Sequence, residues 1–489
     1  MEIVMIIGRK KEQKKLRELY DSGRAEFVAV YGRRRVGKTY LIDEVFYGDI
    51  TFRHAGLSPV GTDEGGVKKN RMREQLAHFH QSLMMQGMKK CDPPKSWLEA
   101  FYMLESFLTE KDVTNRRLLV FLDEIQWMDT PKAGFITGLE AFWNSWACHR
   151  HNMMLITCGS STSWVLDKLV NNCGGLYGRL TYEIDLQPFN LYECEQFFLS
   201  KGFSLSRYDI AHAYMMAGGI PFYLNFFDKA LSVTQNIQAL FFDRGAPLKD
   251  EFERLFYSLF TNPEVMKSIV IALNSKNRGL TRKELLSKTG ITDSGSLSRQ
   301  LKALESGAFI MKYDSFGNGK RDSYYKLTDP FCIFYLRFVS DKSSRKKKEW
   351  IGAANTQAVV SWNGLAYENL CFNHIKQIKA ALGISGVSTE ESLWSKKGTE
   401  DAEGAQIDLI IERKDNVVNM CEIKFYNDEF TADKDCHFAL MRRERLLREI
   451  LPKKASIHNT LITTFGLRHV EYFGDFINTI TLDELFQNM

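Results

Sequence analysis

The chain has 489 residues, 44% of them hydrophobic and 26% charged, an ordinary globular balance that excludes a disordered or fibrous protein. At roughly 150 residues per domain, this length suggests about three domains. With 65 basic against 60 acidic residues, the overall charge neither demands nor excludes nucleic acid, so local patches must decide.

Nine cysteines are scattered from Cys91 to Cys436 without a C-x-x-C pair. Together with the absence of a secretory leader, they point to reduced thiols and a cytoplasmic location. The apolar opening, Met1 to Ile7, is brief, carries Glu2 and runs into Arg9-Lys10-Lys11, so it reads as a segment packing on the first domain. No apolar run approaches the roughly 18 residues that a bilayer-spanning helix needs, which argues against a membrane role.

In chain order, Phe27–Tyr31 is a strand-length apolar run, followed by a glycine-containing turn and a helix over Tyr40–Phe46. A second run, Leu118–Leu122, ends in Asp123-Glu124, and a third, Met153–Thr157, ends in Cys158-Gly-Ser-Ser161. Short buried runs between longer mixed segments indicate an α/β domain with a parallel sheet covered on both faces. After Gly218-Gly-Ile-Pro221 helical spacing takes over to about Ser258, as a helical lid would. The first domain is expected over 1–260.

Between strand and helix, Gly32-Arg33-Arg34-Arg35-Val36-Gly37-Lys38-Thr39 fits G-x-x-x-x-G-K-[ST] at every required position. Glycines let the backbone N–H groups close on phosphates at the positive end of the next helix. Lys38 brings a point charge to the outer phosphates, and Thr39, followed by Tyr40, offers a hydroxyl to magnesium. Asp123, at a strand tip about 85 residues beyond Lys38, suits the same magnesium, and Glu124 suits polarising the attacking water. The expected cofactors are ATP and Mg2+. Ser160 and Ser161 either contact the terminal phosphate or cap the next helix. Arg179 is either a charge-stabilising finger, in this or a neighbouring subunit of a homo-oligomer, or a surface arginine in a turn.

Residues 261–340 read as a winged helix-turn-helix. Val265–Leu273 is helical, Thr281-Arg-Lys-Glu284 opens a second helix with a capping box, and Gly290 stops it. Ser294 or Ser296 caps a third helix, Leu297–Glu305, with Leu297, Leu301 and Leu304 on one face. A hairpin follows: Phe309–Tyr313, a Gly317-Asn-Gly319 turn, and Ser323–Leu327. Ser298, Arg299 and Lys302 oppose the leucine stripe and suit a DNA groove, while Lys320 and Arg321 at the hairpin tip suit backbone phosphates. The alternative is a protein-interaction spacer. Residues 341–350, with Arg345-Lys-Lys-Lys348, form a basic linker.

The third domain, 351–489, places Asp408 in Gln406–Ile411 and Glu422 with Lys424 in Met420–Phe425, on two strands joined by the polar Arg413–Asn416 turn. Alternation sets Glu422 and Lys424 on one face. Asp408 and Glu422 suit a second divalent metal, Mg2+ or Mn2+, with Glu368 on the domain's first helix as a further ligand and Lys424 activating water toward a phosphodiester. The alternative is an amphipathic hairpin with a charged face. Histidine pairs His78/His80 and His149/His151 lack partners at ligand spacing.

Taken together, Ile7–Glu12, the phosphate loop, Phe121–Ile125, Cys158–Ser161, Gly178-Arg179 with Leu186–Phe189, and Gly218–Pro221 resemble the archaeal-type ATPase family, itself similar to STAND and AAA-like NTPases. Asp329-Pro-Phe331 with Phe334–Phe338 resembles the segment by which such ATPases join a winged helix to a restriction-endonuclease-like domain. The resemblance implies Gly8-Arg9 near adenine and Pro221 in a nucleotide-sensing lid. In the third domain, Asp408, Glu422 and Lys424 resemble the PD-(D/E)XK nuclease signature, with Ile407 where a proline often stands. Two functions follow: an ATP-driven DNA-processing enzyme, or a nucleotide-switched regulator whose last domain binds without cutting.

Overall fold

The computed structural model describes residues 6–58, 61–63, 66–68, 72–113, 116–260, 262–316, 323–340, 349–354, 356–396 and 404–489. The chain gathers into two compact units, Met1–Gln187 with Tyr257–Thr261, and Pro188–Phe256 with Asn262–Met489.

The first unit is built on a five-stranded parallel sheet. Its strands are β1 (Glu26–Tyr31), β2 (Ile50–Ala55), β3 (Leu118–Asp123), β4 (Met153–Gly159) and β5 (Tyr182–Asp185), in the spatial order β2-β3-β4-β1-β5. β1, β3 and β4 are buried along their whole length, which is why they read as unbroken apolar runs rather than alternating ones. Register aligns their carboxyl ends: Tyr31 pairs with Gly159 and Asp185, and Ala55 with Asp123. The loops that follow β1, β3 and β4 therefore open at one edge, where ligands of open α/β sheets bind.

Helices α1 (Lys10–Tyr20), α2 (Lys38–Val45), α3 (Met72–Met85), α4 (Trp97–Lys111) and α5 (Phe135–Ser145) belong to this unit, with a short helix Thr162–Val165 and an antiparallel strand pair, Gly61–Asp63 and Gly66–Lys68. α2 begins two residues before the expected Tyr40, because Gly37 in a left-handed conformation starts it at Lys38. Phe79, Trp97, Phe101, Phe135 and Phe142 form a continuous aromatic core. Trp143 lies in it fully, and Trp146 and Trp164 pack against it at half-buried positions, whereas Trp127, half-buried, is not part of it.

The second unit begins with α6 (Leu191–Ser200), which opens on an Asn190/Glu193 capping box, and α7 (Arg207–Ala217). A Cβ on Gly219 would lie 1.8 Å from the Phe189 carbonyl oxygen, so only glycine fits where the Phe189 N–H donates to the Gly219 carbonyl. Short helices follow, including Pro221–Leu224 and Val233–Ile237. Next come α8 (Pro263–Leu273), α9 (Arg282–Thr289) and α10 (Gly295–Ser306), with β6 (Leu280–Thr281), β7 (Ile310–Asp314) and β8 (Ser323–Leu327) in an antiparallel sheet ordered β6-β8-β7. The Thr281/Glu284 capping box is present, and Gly290 ends α9 at φ 68°. Ser294 takes the N-cap position of α10 without a side-chain cap bond, so the helix is held by burial of Leu297, Leu301 and Leu304. The Gly317–Gly319 turn, Lys320, Arg321 and most of the expected linker, including Arg345 to Lys348, lie outside the described residues.

The last elements are α11 (Gln357–Asn373), β9 (Thr389–Lys396), β10 (Ala405–Arg413), β11 (Val417–Lys424), α12 (Lys434–Arg448), β12 (Ser456–Thr463) and β13 (Asn478–Ile480). They form a mixed sheet, β9-β10-β11-β12-β13, antiparallel as far as β11 and parallel beyond it. α12 supplies the crossover that a parallel β11/β12 pair requires. The small antiparallel sheet docks on this one: the Phe316 N–H donates to the Leu393 carbonyl at 3.3 Å, and the Phe316 ring packs against the core of Trp394, Ile407 and Leu440.

Candidate functional site

The first site lies where β1 turns into α2. Gly32 has φ 140°, and a Cβ there would meet the Leu186 carbonyl oxygen at 2.3 Å. The Leu186 N–H in turn donates to the Tyr31 carbonyl at 2.7 Å, so the turn is clamped under the end of the sheet. Gly37 has φ 91° with open space where a Cβ would be; it leaves the backbone bare at the start of α2.

Lys38 is buried, and its ammonium donates to the Gly32 and Arg33 carbonyls, both at 3.0 Å. Burial pulls its pKa down, against the attraction of Glu124 and Asp123. The Thr39 hydroxyl donates to Asp123 Oδ2 at 2.8 Å. Burial raises the Asp123 carboxyl above its usual range, and the Thr39 bond opposes that rise. A hydroxyl beside a carboxylate is a hard-oxygen pair of the kind magnesium takes. Around the loop, Arg33 and Val36 are buried, the Arg34 guanidinium sits 6.0 Å from the Trp127 ring, Arg35 is left-handed at φ 73°, and Tyr40 is exposed.

Glu124 follows at φ 45°, a left-handed conformation uncommon outside glycine. Its Oε2 accepts from the Ser160 hydroxyl at 2.6 Å, the Ser160 N–H at 3.3 Å and the Gln126 amide at 2.5 Å. Gln126 also donates to Ser160 Oγ at 3.1 Å. Ser160 thus bonds a carboxylate, and Ser161 takes the N-cap position of the following short helix without a side-chain bond. A Cβ on Gly159 would fall 2.9 Å from Gln126 Oε1, so the glycine before Ser160 makes room for this contact. Gln126 was not singled out by the sequence; its only signal is its place two residues beyond Glu124. Arg179 is exposed and forms no ion pair among the described residues, so nothing joins it to this group. Arg9, left-handed at φ 55°, is buried and donates to the Gln187 carbonyl.

The second site lies on the mixed sheet. Leu409 pairs with Cys421 and Ile410 with Met420, so one step further Asp408 stands across from Glu422. Asp408 Oδ2 accepts the Ile423 N–H at 3.1 Å. Glu368, buried on α11, feels Asp408, Glu422, Lys424 and Lys326 as charged neighbours. The three carboxylates are therefore neighbours, yet among the described residues no group of three or more acidic, histidine or cysteine side chains has metal-holding geometry. The reason is visible at Glu422: one oxygen is paired with Lys424 Nζ at 2.7 Å and the other with Arg443. The expected sharing of one divalent ion by Asp408, Glu422 and Glu368 does not fit this arrangement. Burial and the neighbouring carboxylates raise Glu368 and Asp408 above the usual carboxylate range. Arg443, on α12, and Lys326, on β8, were missed because no local pattern links them to the signature.

Ser298, Arg299 and Lys302 are exposed on α10, opposite its buried leucines. Arg282 reaches Ser298 Oγ at 3.1 Å and also pairs with Asp293 at 2.5 Å. No helix among the described residues is long and apolar enough to cross a membrane.

Residues 6–227 match the profile of the ATPase domain predominantly from Archaea. A Methanocaldococcus jannaschii protein of uncharacterized function is 26% identical over 462 residues, covering 91% of this chain and 92% of its own. Among solved structures, a Walker-type ATPase of Pyrococcus abyssi is similar with a TM-score of 0.49 at 19% identity, over 68% of this chain and 96% of that one. The Aeropyrum pernix ORC2 protein follows at 0.44 and 12%, over 68% and 93%. At these identities and scores, neither structure assigns a role to any residue of this chain.

Proposed function

We propose that this ATPase, whose domain over residues 6–227 is of archaeal type, couples ATP turnover to DNA binding through the second unit. One observation carries the nucleotide site: a buried lysine inside a glycine-framed loop, next to a Thr39–Asp123 pair at 2.8 Å. Loop N–H groups and Lys38 would hold the phosphates, with Thr39 and Asp123 holding magnesium. Magnesium, when bound, neutralises charge developing on the phosphate oxygens. Glu124 would orient the attacking water once it leaves Ser160 and Gln126. Arg179, exposed and outside this group, suits a finger offered to a neighbouring copy of the chain.

The three helices and antiparallel hairpin of residues 263–327 support a winged-helix reading, with Ser298, Arg299 and Lys302 facing a groove. The mixed sheet with Asp408, Glu422 and Lys424 supports a restriction-endonuclease-like domain. A second reading, in which this last domain binds without cutting, is favoured by the pairing of both Glu422 oxygens with Lys424 and Arg443.

Turnover separates the readings. Glu124→Gln should retain ATP and lose hydrolysis under either, whereas DNA should raise wild-type turnover only in a DNA-processing enzyme. DNA binding that is absent, or indifferent to salt, would refute the coupling.

A further inference from the structure

Gln75 lies on the buried face of α3 with Leu76, Phe79 and Leu83, and is itself fully buried. Packing alone would be met there by an apolar side chain, because a buried amide is tolerated only when its polar atoms find partners. Its Oε1 accepts the Leu57 N–H at 3.0 Å, and its Nε2 donates to the Leu57 carbonyl at 2.9 Å and the Trp127 carbonyl at 2.8 Å. Leu57 follows β2, and Trp127 ends the one-turn helix Ile125–Trp127 that follows Glu124. The same two segments meet again at Gly56, whose N–H donates to the Asp123 carbonyl at 3.0 Å. A Cβ on Gly56 would stand 2.8 Å from the Glu124 carbonyl oxygen. Between these ties Glu124 holds φ 45°, and the Trp127 N–H closes the turn onto the Glu124 carbonyl at 2.9 Å. A non-glycine residue keeps a left-handed backbone only where its surroundings over-determine it.

We propose that Gln75 is a positioning residue for ATP hydrolysis: it stitches the Gly56-Leu57 loop to the turn after β3, and so fixes the backbone from which Glu124 presents its carboxylate. This rests on reading Glu124 as the group that orients the attacking water. Ser160 and Gln126 touch the Glu124 side chain itself, whereas Gln75 acts on the backbone behind it and also carries Gln126, which lies within the stitched turn. Lys38 and Thr39 are held by separate bonds, to the Gly32 and Arg33 carbonyls and to Asp123. Loss of the Gln75 amide therefore misplaces the hydrolytic carboxylate and leaves the groups that grip the nucleotide in place.

The test is single-turnover hydrolysis of radiolabelled ATP with Mg2+, alongside ATP affinity by equilibrium titration, on the full chain. It compares wild type, Gln75→Met, Glu124→Gln and the double variant; methionine removes the amide at nearly constant size. Gln75→Met should lower the hydrolysis rate about 10- to 100-fold, the loss expected when a catalytic group is misplaced by about 1 Å, with ATP affinity changed less than about twofold. In the Glu124→Gln background the same substitution should change the rate less than about twofold, because both act through one group. A merely structural glutamine would lower affinity along with rate, or add its loss to that of Glu124→Gln; either result overturns the positioning role. An unchanged rate in Gln75→Met, with Glu124→Gln inactive, overturns it too and leaves the reading of Glu124 standing. Full hydrolysis by Glu124→Gln overturns both. Should Gln75→Met not fold by circular dichroism, Gly56→Ala decides, since it presses on the Glu124 carbonyl from the same loop. A loss confined to hydrolysis, and absent beside Glu124→Gln, upholds the stitch; an unchanged rate or a loss of ATP affinity overturns it.

Discussion

Replacing Gly32 with alanine isolates the clamp that shapes the phosphate loop. The new Cβ would stand 2.3 Å from the Leu186 carbonyl oxygen, and that carbonyl cannot easily retreat because the Leu186 N–H is tied to Tyr31. Overpacking against fixed backbone costs about 1–3 kcal/mol, and a non-glycine residue at this φ adds about 1–3 kcal/mol. A total near 4 kcal/mol corresponds to a fall of about 8–16 °C in melting temperature for a unit of this size. Gly48 is the control: its φ is 76°, but no atom lies within 4 Å of its Cβ position, so alanine there should cost only about 1–2 kcal/mol of backbone strain. Thermal unfolding followed by circular dichroism reads both, and ATP affinity should fall for Gly32→Ala alone. If Gly32→Ala melts no lower than Gly48→Ala, the loop is not clamped by Leu186 and the steric argument fails.

Gln126→Ala should free Glu124 from one of its donors and raise DNA-free hydrolysis several-fold with ATP affinity unchanged; a steady-state assay showing reduced turnover would mean Gln126 orients Glu124 productively instead. Arg443→Ala, leaving a buried Glu422 with Lys424 alone, should destabilise the second unit by about 2 kcal/mol in urea unfolding. Burial holds His54 at a pKa of about 3, and His212 and His374 at about 4. His374 accepts the Leu191 N–H through Nε2 while Nδ1 faces the Leu370 carbonyl, a pairing that fits only the neutral ring. Because the folded pKa values lie below the unfolded value near 6.5, the unfolded chain binds more protons between them. The stability these three rings contribute should therefore be complete above pH 6.5 and decline toward pH 4, while the raised Glu368 and Asp408 carboxyls lose theirs as pH rises; no fall in melting temperature between pH 6.5 and 4 would contradict the buried neutral assignment. Arg299→Ala and Lys302→Ala should each weaken DNA binding and lower the salt slope by about 1 if each contacts one phosphate, as fluorescence anisotropy would read.

The sequence carries the three central strands β1, β3 and β4 because they are buried on both faces, but not the partly exposed edge strands β2 and β5; the loop motif is legible because it is contiguous, eight consecutive residues, Gly32 to Thr39, specifying one turn. The Thr281/Glu284 box and the leucine stripe of α10 are legible for the same reason, since each lies within a few residues of chain. Asp408 and Glu422 are legible as a hairpin pair but not as an ion-paired group. Arg443, paired with Glu422, enters from a helix beyond β11, a placement that no local periodicity encodes. The Ser160–Glu124 bond has the same origin: two strand tips meet because β3 and β4 are neighbours in the sheet, which is a property of topology. Ser294 shows the opposite limit, a residue of the right type at the cap position whose side chain forms no cap bond.

The central claim is a nucleotide held by Lys38 in the turn after β1, and equilibrium binding of ATP with magnesium to the full chain tests it most directly. Isothermal titration should give one site per chain in wild type and in Glu124→Gln, and a loss of at least tenfold in affinity for Lys38→Ala with the fold intact. Equal affinity in wild type and Lys38→Ala, or no ATP binding by the folded wild-type protein, would contradict it.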